Sequence, residues 1–263
     1  MRDSYWLFVI SILIMLPRIV SEFLFRFTSL RVVWVFRIID IFDITLQTLS
    51  LLVLGLYVYS RYIYMRGKEY SMIYLVIVAL LIGGHMMHFA ANALDMHFRE
   101  FLNEDPESAM PSSAYTLLHF IDEYLSHAIM FTALILMISM GSLAEIQGEP
   151  KSLGTLDKSL ILFSGFILGS GLGISAVEAS IPLYILMLAI INLTAIAWYS
   201  RKHRQKVGHH PFTLYTVTIF ITLILSATVY MALFGSQSPR EFIGSFIEEK
   251  LKLLLTSSLV YLC

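Results

Sequence analysis

The sequence predicts an all-α, polytopic membrane protein: a bundle of about seven transmembrane helices followed by a C-terminal amphipathic helix. Three observations carry this reading. Of 263 residues, 57% are hydrophobic and 14% charged, against about 45–50% and about 25% in soluble domains. The mean hydropathy is +0.76, which excludes a water-soluble single-domain enzyme. The apolar residues also fall into seven runs, each near the roughly 20 residues that cross a bilayer as a helix.

Those runs are 5–25, 38–60, 71–95, 115–141, 160–179, 182–200 and 212–235. The first contains Pro17, Arg18 and Glu22 and is followed by Arg26, Phe27 and Thr28. That is no small-residue cleavage site, so it reads as a retained span rather than a signal peptide. Residues 1–237 form the membrane domain. The remaining segment, 238–263, has Glu248, Glu249, Lys250 and Lys252 within a helical pattern. Its apolar run is short for a span, and an interfacial amphipathic helix is expected.

Lysine and arginine in short loops set the orientation. Arg61, Arg66 and Lys68 follow the second run, Lys151 and Lys158 the fourth, and Arg201, Lys202, Arg204 and Lys206 the sixth. The alternate links are acidic (103–107) or uncharged (179–181). The N-terminus and the basic loops are therefore expected in the cytoplasm. Arg26, Arg31 and Arg37 depart from the pattern, and an amphipathic segment lying on the membrane over 27–37 would accommodate them.

The charge balance, 18 Lys+Arg against 19 Asp+Glu, offers nothing to a nucleic acid. The single cysteine, Cys263, excludes an internal disulfide framework and a cysteine-based metal site. Gly165, Gly169 and Gly173 repeat at the small-xxx-small spacing that lets helices approach closely. The partner across that face is either another helix of this chain or another subunit, so homo- or hetero-oligomerisation through it is an open expectation.

Function is sought in the ionisable residues that the spans tolerate, because such groups are expensive in lipid. Asp40, Asp43 and Gln47 on the second span lie within an arc of about 60°. His85, His88, Asn92 and Asp95 on the third lie within about 80°. His119, Asp122, Glu123, Ser126 and His127 on the fourth spread over about 140°, and Glu178 ends the fifth. Since the third and fourth spans run in opposite directions, a rise of about 1.5 Å per residue brings these groups to overlapping depths in one half of the bilayer.

Imidazoles and carboxylates gathered in a dry layer predict a divalent metal site, with zinc the first choice and iron or copper possible. His85, His88, Glu123 and His127 are the expected ligands, with His119 and Asp122 as competitors. His85/His88 and Glu123/His127 have spacings that can place two side chains on one ion. Asp40, Asp43, Asn92, Asp95, Ser126 and Glu178 would orient those ligands through hydrogen bonds, or else pack as ordinary interhelical polar contacts.

Such a site implies a metal-dependent membrane hydrolase or oxidoreductase acting on a lipid or other apolar substrate drawn from the bilayer. Asp122 or Glu123 would serve as general base. A His/Asp zinc site among seven helices is similar to the alkaline ceramidase and adiponectin-receptor hydrolases. Those enzymes carry a His-x-x-x-His pair on the last helix, whereas the run 212–235 has no histidine, so the chain is not assigned to them. Three alternatives stay open: a haem b-binding subunit with His85 or His88 opposite His127, an accessory subunit of a larger membrane redox complex, and a proton or cation transporter.

Overall fold

The computed structural model describes residues 2–23, 31–33, 36–37, 41, 43–96 and 111–235. Helix α1 covers Arg2–Phe23 with Pro17 inside it. Two short strands, β1 (Arg31–Val33) and β2 (Phe36–Arg37), pair antiparallel with Arg31 opposite Arg37. This ribbon occupies part of the segment expected to lie on the membrane over 27–37. The next helical stretch changes pitch three times. A π-helical segment, Asp43–Gln47, leads into α2 (Thr48–Val58), a second π-helical segment (Tyr59–Ile63) and a 3₁₀ turn (Tyr64–Arg66).

Five longer apolar helices complete the described chain. They are α3 (Lys68–Met96), the continuous rod Ser112–Ile146, α6 (Thr155–Glu178), α7 (Pro182–Lys202) and α8 (Pro211–Phe234). The rod consists of α4 (Ser112–His119), a π-helical segment (Phe120–Ser126) and α5 (His127–Ile146). These five are long and apolar enough to cross a membrane, and they coincide with the third to seventh predicted runs. The first two runs overlap α1 and the pitch-changing stretch around α2, and among the described residues five helices meet the length and hydropathy of a span. The predicted tail, 238–263, lies outside the described residues.

Glycine sets the closest helix contacts. A Cβ on Gly169 or Gly173 would overlap Thr222 or Ser226 of α8, and one on Gly165 would lie 2.7 Å from Thr218 Cβ. The Gly165/Gly169/Gly173 face therefore packs on a matching Thr218/Thr222/Ser226 stripe, and Thr222 Oγ1 donates to the Gly165 carbonyl at 3.2 Å. Of the two partners left open for this face, a helix of the same chain, α8, is the one that fills it. On the opposite side of α6, Gly171 abuts Met15 of α1. Gly141 admits Phe212 and Val58, joining α2, α5 and α8.

The two ends of the bundle differ in charge. At one end Asp3 meets Lys151 at 3.0 Å and Arg61 at 3.5 Å. Arg66 donates to Gln147 Oε1 at 2.6 Å and Ser4 to Asp157 at 2.6 Å. The N-terminus thus shares an end with the basic loops, as loop charges predict. At that end hydropathy misjudges two residues. The run 115–141 stops short of Glu145, yet the helix continues and buries that residue to 6% exposure. Its carboxylate accepts from Phe212 N (3.2 Å), Thr213 N (2.7 Å) and Thr213 Oγ1 (2.9 Å), satisfying amides that the first turn of α8 leaves without intrahelical partners. His210, which lies between the basic loop and the run 212–235, is 1% exposed. Burial, and then the proximity of His209 and Lys151, lower its pKa from the ordinary value.

Candidate functional site

The site begins with a close helix approach. A Cβ on Gly84 of α3 would stand 3.0 Å from Met130 N and 3.1 Å from the Ser126 carbonyl, so at this level α3 and the Ser112–Ile146 rod run almost backbone to backbone. Antiparallel helices in such contact bring residue 88 level with the turn that carries Asp122. His88 Nδ1 lies 2.7 Å from Asp122 Oδ1, and the His88 and His127 rings lie 4.5 Å apart between centroids, inclined at 57°.

The π-helical segment Phe120–Ser126 decides which residues meet. Its wider turn brings residues five apart into register. His127 Nδ1 accordingly bonds to the Asp122 carbonyl at 2.9 Å, and Ser126 Oγ donates to the same oxygen at 2.6 Å. The π-helical turn thus ties His127 to the Asp122 backbone, while Glu123, expected as a ligand beside His127, lines the adjoining cavity. Asp122 thereby holds both rings, one through its side chain and one through its backbone. It serves as the hub of the cluster.

Both histidines direct Nδ1 at an oxygen of Asp122, His127 in a hydrogen bond to the carbonyl and His88 at 2.7 Å from the carboxylate. A ring whose Nδ1 donates to an oxygen presents an Nε2 lone pair, and this holds for His127 toward the Asp122 carbonyl; His88 Nδ1 faces the Asp122 carboxylate at ion-pair distance. Phe131 stacks on the outer side of His127, with centroids 6.4 Å apart. His85, one turn before His88, is 2% exposed.

Toward the end of the bundle a cavity of about 200 Å³ opens, lined by Asp95, Tyr115, Leu118, His119, Asp122 and Glu123. Three carboxyl groups, an imidazole and a phenol therefore share one chamber with the Asp122 hub. Tyr115 was not anticipated. It stacks on His119 with ring planes 14° apart, and its position four residues before His119 was the available signal.

The other expected site residues are placed differently. Asn92 lies on α3 between His88 and Asp95, half-buried. Glu178 accepts from Tyr230 at 3.3 Å, which ties α6 to α8. Asp40 lies outside the described residues, and Asp43 opens the π-helical segment before α2. Among the described residues, no three His, Asp, Glu or Cys side chains stand ready to hold a metal ion.

Fold and site together define a class: a multi-pass helical membrane bundle with a His–Asp–His cluster bordering an acidic chamber near one end. No family model matches the chain, and no curated protein or solved structure is significantly similar to it.

Proposed function

We propose that the His88/Asp122/His127 cluster is a divalent-metal site of a membrane enzyme acting on a lipid or other apolar substrate. The single observation that carries this reading is the placement of both Nδ1 atoms against oxygens of Asp122. Imidazole ligands of metals usually have their second nitrogen held in this way, and two rings 4.5 Å apart can serve one ion. The two histidines are a partial set, which water would complete. Zinc suits such nitrogen and oxygen ligands, and iron or copper would take the same donors.

A bound divalent cation lowers the pKa of its water toward neutrality and polarises an ester or amide carbonyl. Asp122 is engaged with His88, so Glu123 is the carboxylate available to accept a proton. Tyr115 and His119 border the space a substrate headgroup would enter. The haem alternative has less support, because His88 and His127 are closer than an intervening macrocycle permits. We read the basic end, with the N-terminus, as cytoplasmic and the site as facing the opposite leaflet; α1 and the stretch around α2 complete about seven spans. Metal analysis of the purified full chain, compared with the His88→Ala/His127→Ala double variant, tests the proposal. It is wrong if the wild type binds no divalent metal.

A further inference from the structure

The turn between α7 and α8 stands at the opposite end from the histidine cluster. It carries Arg201, Lys202, Arg204 and Lys206 within six residues, with no acid among them. All four are exposed, and none makes an ion pair among the described residues. A basic run after a span ordinarily serves topology and remains solvated, and Arg201 and Lys202 would also complement the helix C-terminus. Neither role explains how the backbone at Arg204 is built.

Helix α7 ends in a Schellman motif. Gln205 N bonds to the Ser200 carbonyl at 2.9 Å and Arg204 N to the Arg201 carbonyl at 3.0 Å, and Ser200 Oγ donates to the Gln205 carbonyl at 2.7 Å. The motif requires a left-handed residue at the position after the cap, where glycine is the usual choice. Here that residue is Arg204, with φ of 55°. A cation thus occupies a position whose backbone conformation disfavours any side chain. The hydrogen bonds hold the neighbouring cations on a fixed frame, so little order is lost when they engage a ligand. At the membrane-facing edge of the turn Trp198 is 61% exposed, and Lys202 Nζ stands 5.2 Å from its ring centroid. Exposed tryptophan beside lysine is the arrangement found at the headgroup level of a bilayer.

We infer that this turn is a binding site for anionic phospholipid headgroups, with Arg204 positioned for the phosphate at the expense of backbone strain. Membrane-adjacent basic clusters are attracted to anionic lipid with an energy that corresponds to about fivefold in affinity per cation near the surface, and salt screens that attraction.

The experiment uses the full chain in mixed phosphatidylcholine/phosphatidylglycerol nanodiscs, with the lipids it retains measured by native mass spectrometry. The wild type is expected to enrich phosphatidylglycerol, and the enrichment should fall as salt is added. Arg204→Gly separates binding from folding, because glycine suits the left-handed position: thermal stability should be equal or higher, while enrichment falls about fivefold. Equal retention of both lipids by the wild type, or full enrichment in Arg204→Gly, would overturn the inference. The salt titration of the wild type decides between the outcomes even if a variant inserts in altered orientation.

Discussion

His88 Nδ1 and Asp122 Oδ1, 34 residues apart in sequence (122 − 88), stand 2.7 Å from one another and lock α3 to the π-helical segment preceding α5. Because the same Asp122 also holds His127 through its backbone carbonyl, its side chain and its main chain can be tested separately.

Asp122→Asn keeps the shape and the carbonyl while removing the carboxylate charge. His127 remains anchored, and His88 loses its anionic partner. Changes of this kind to residues that orient metal ligands lower metal affinity by roughly 10–100-fold. Titration calorimetry with zinc should show that loss with an unchanged thermal midpoint. Affinity equal to wild type would mean that the pair does not orient a ligand.

Helix packing predicts opposite responses from Gly169, at the α6–α8 contact, and Gly83, on an open face of α3. Gly169→Ala would push a methyl group into Thr222 and the Ile219 backbone, costing about 1–3 kcal/mol as overpacking. Gly83 has nothing within 4 Å of an added Cβ, so Gly83→Ala should be neutral or stabilising by up to about 1 kcal/mol through helix propensity. Thermal unfolding in detergent distinguishes them, and equal effects would contradict the packing described.

Glu145 anchors the start of α8. Replacing it with alanine leaves Phe212 N, Thr213 N and Thr213 Oγ1 without their buried acceptor, for a loss of about 1–3 kcal/mol. Glu145→Gln keeps one carbonyl oxygen and should lose less. If the alanine variant unfolds at the wild-type temperature, the carboxylate is not the cap.

His210 gives a pH dependence whose sign follows from its burial. Its folded-state pKa is lowered, so the unfolded chain binds the proton more readily. The neutral ring is fully compatible with the fold above the unfolded value of about 6.5, and stability falls as pH drops through that value toward the folded one. His210→Gln should flatten the slope of thermal midpoint against pH in the window just below about 6.5. An unchanged slope would assign the dependence to other groups.

Much of the site is legible in the sequence. Helix direction and a fixed rise per residue place His88 level with Asp122 and His127, and the scarcity of ionisable groups in lipid marks them out. The π-helical segment is not legible, because hydropathy does not register one extra residue per turn; that wider turn brings the Asp122 carbonyl to His127 Nδ1. Glu145 and His210 escape for a related reason. Hydropathy ends a span where polarity begins, whereas the helix runs on through Glu145 and the residue capping the start of α8, His210, is buried as well. The glycine stripe of α6 is evident as a contact surface, and its partner stripe Thr218/Thr222/Ser226 repeats at the same spacing of four, although threonine and serine are weaker signals than glycine.

The proposed metal site is tested most directly by elemental analysis, using mass spectrometry, of the full chain purified without chelators and equilibrated with zinc. About one zinc per chain is expected, lost in the His88→Ala/His127→Ala double variant and reduced in Asp122→Asn. A wild-type protein that retains no zinc, iron or copper, or a double variant that retains as much as the wild type, would contradict the site.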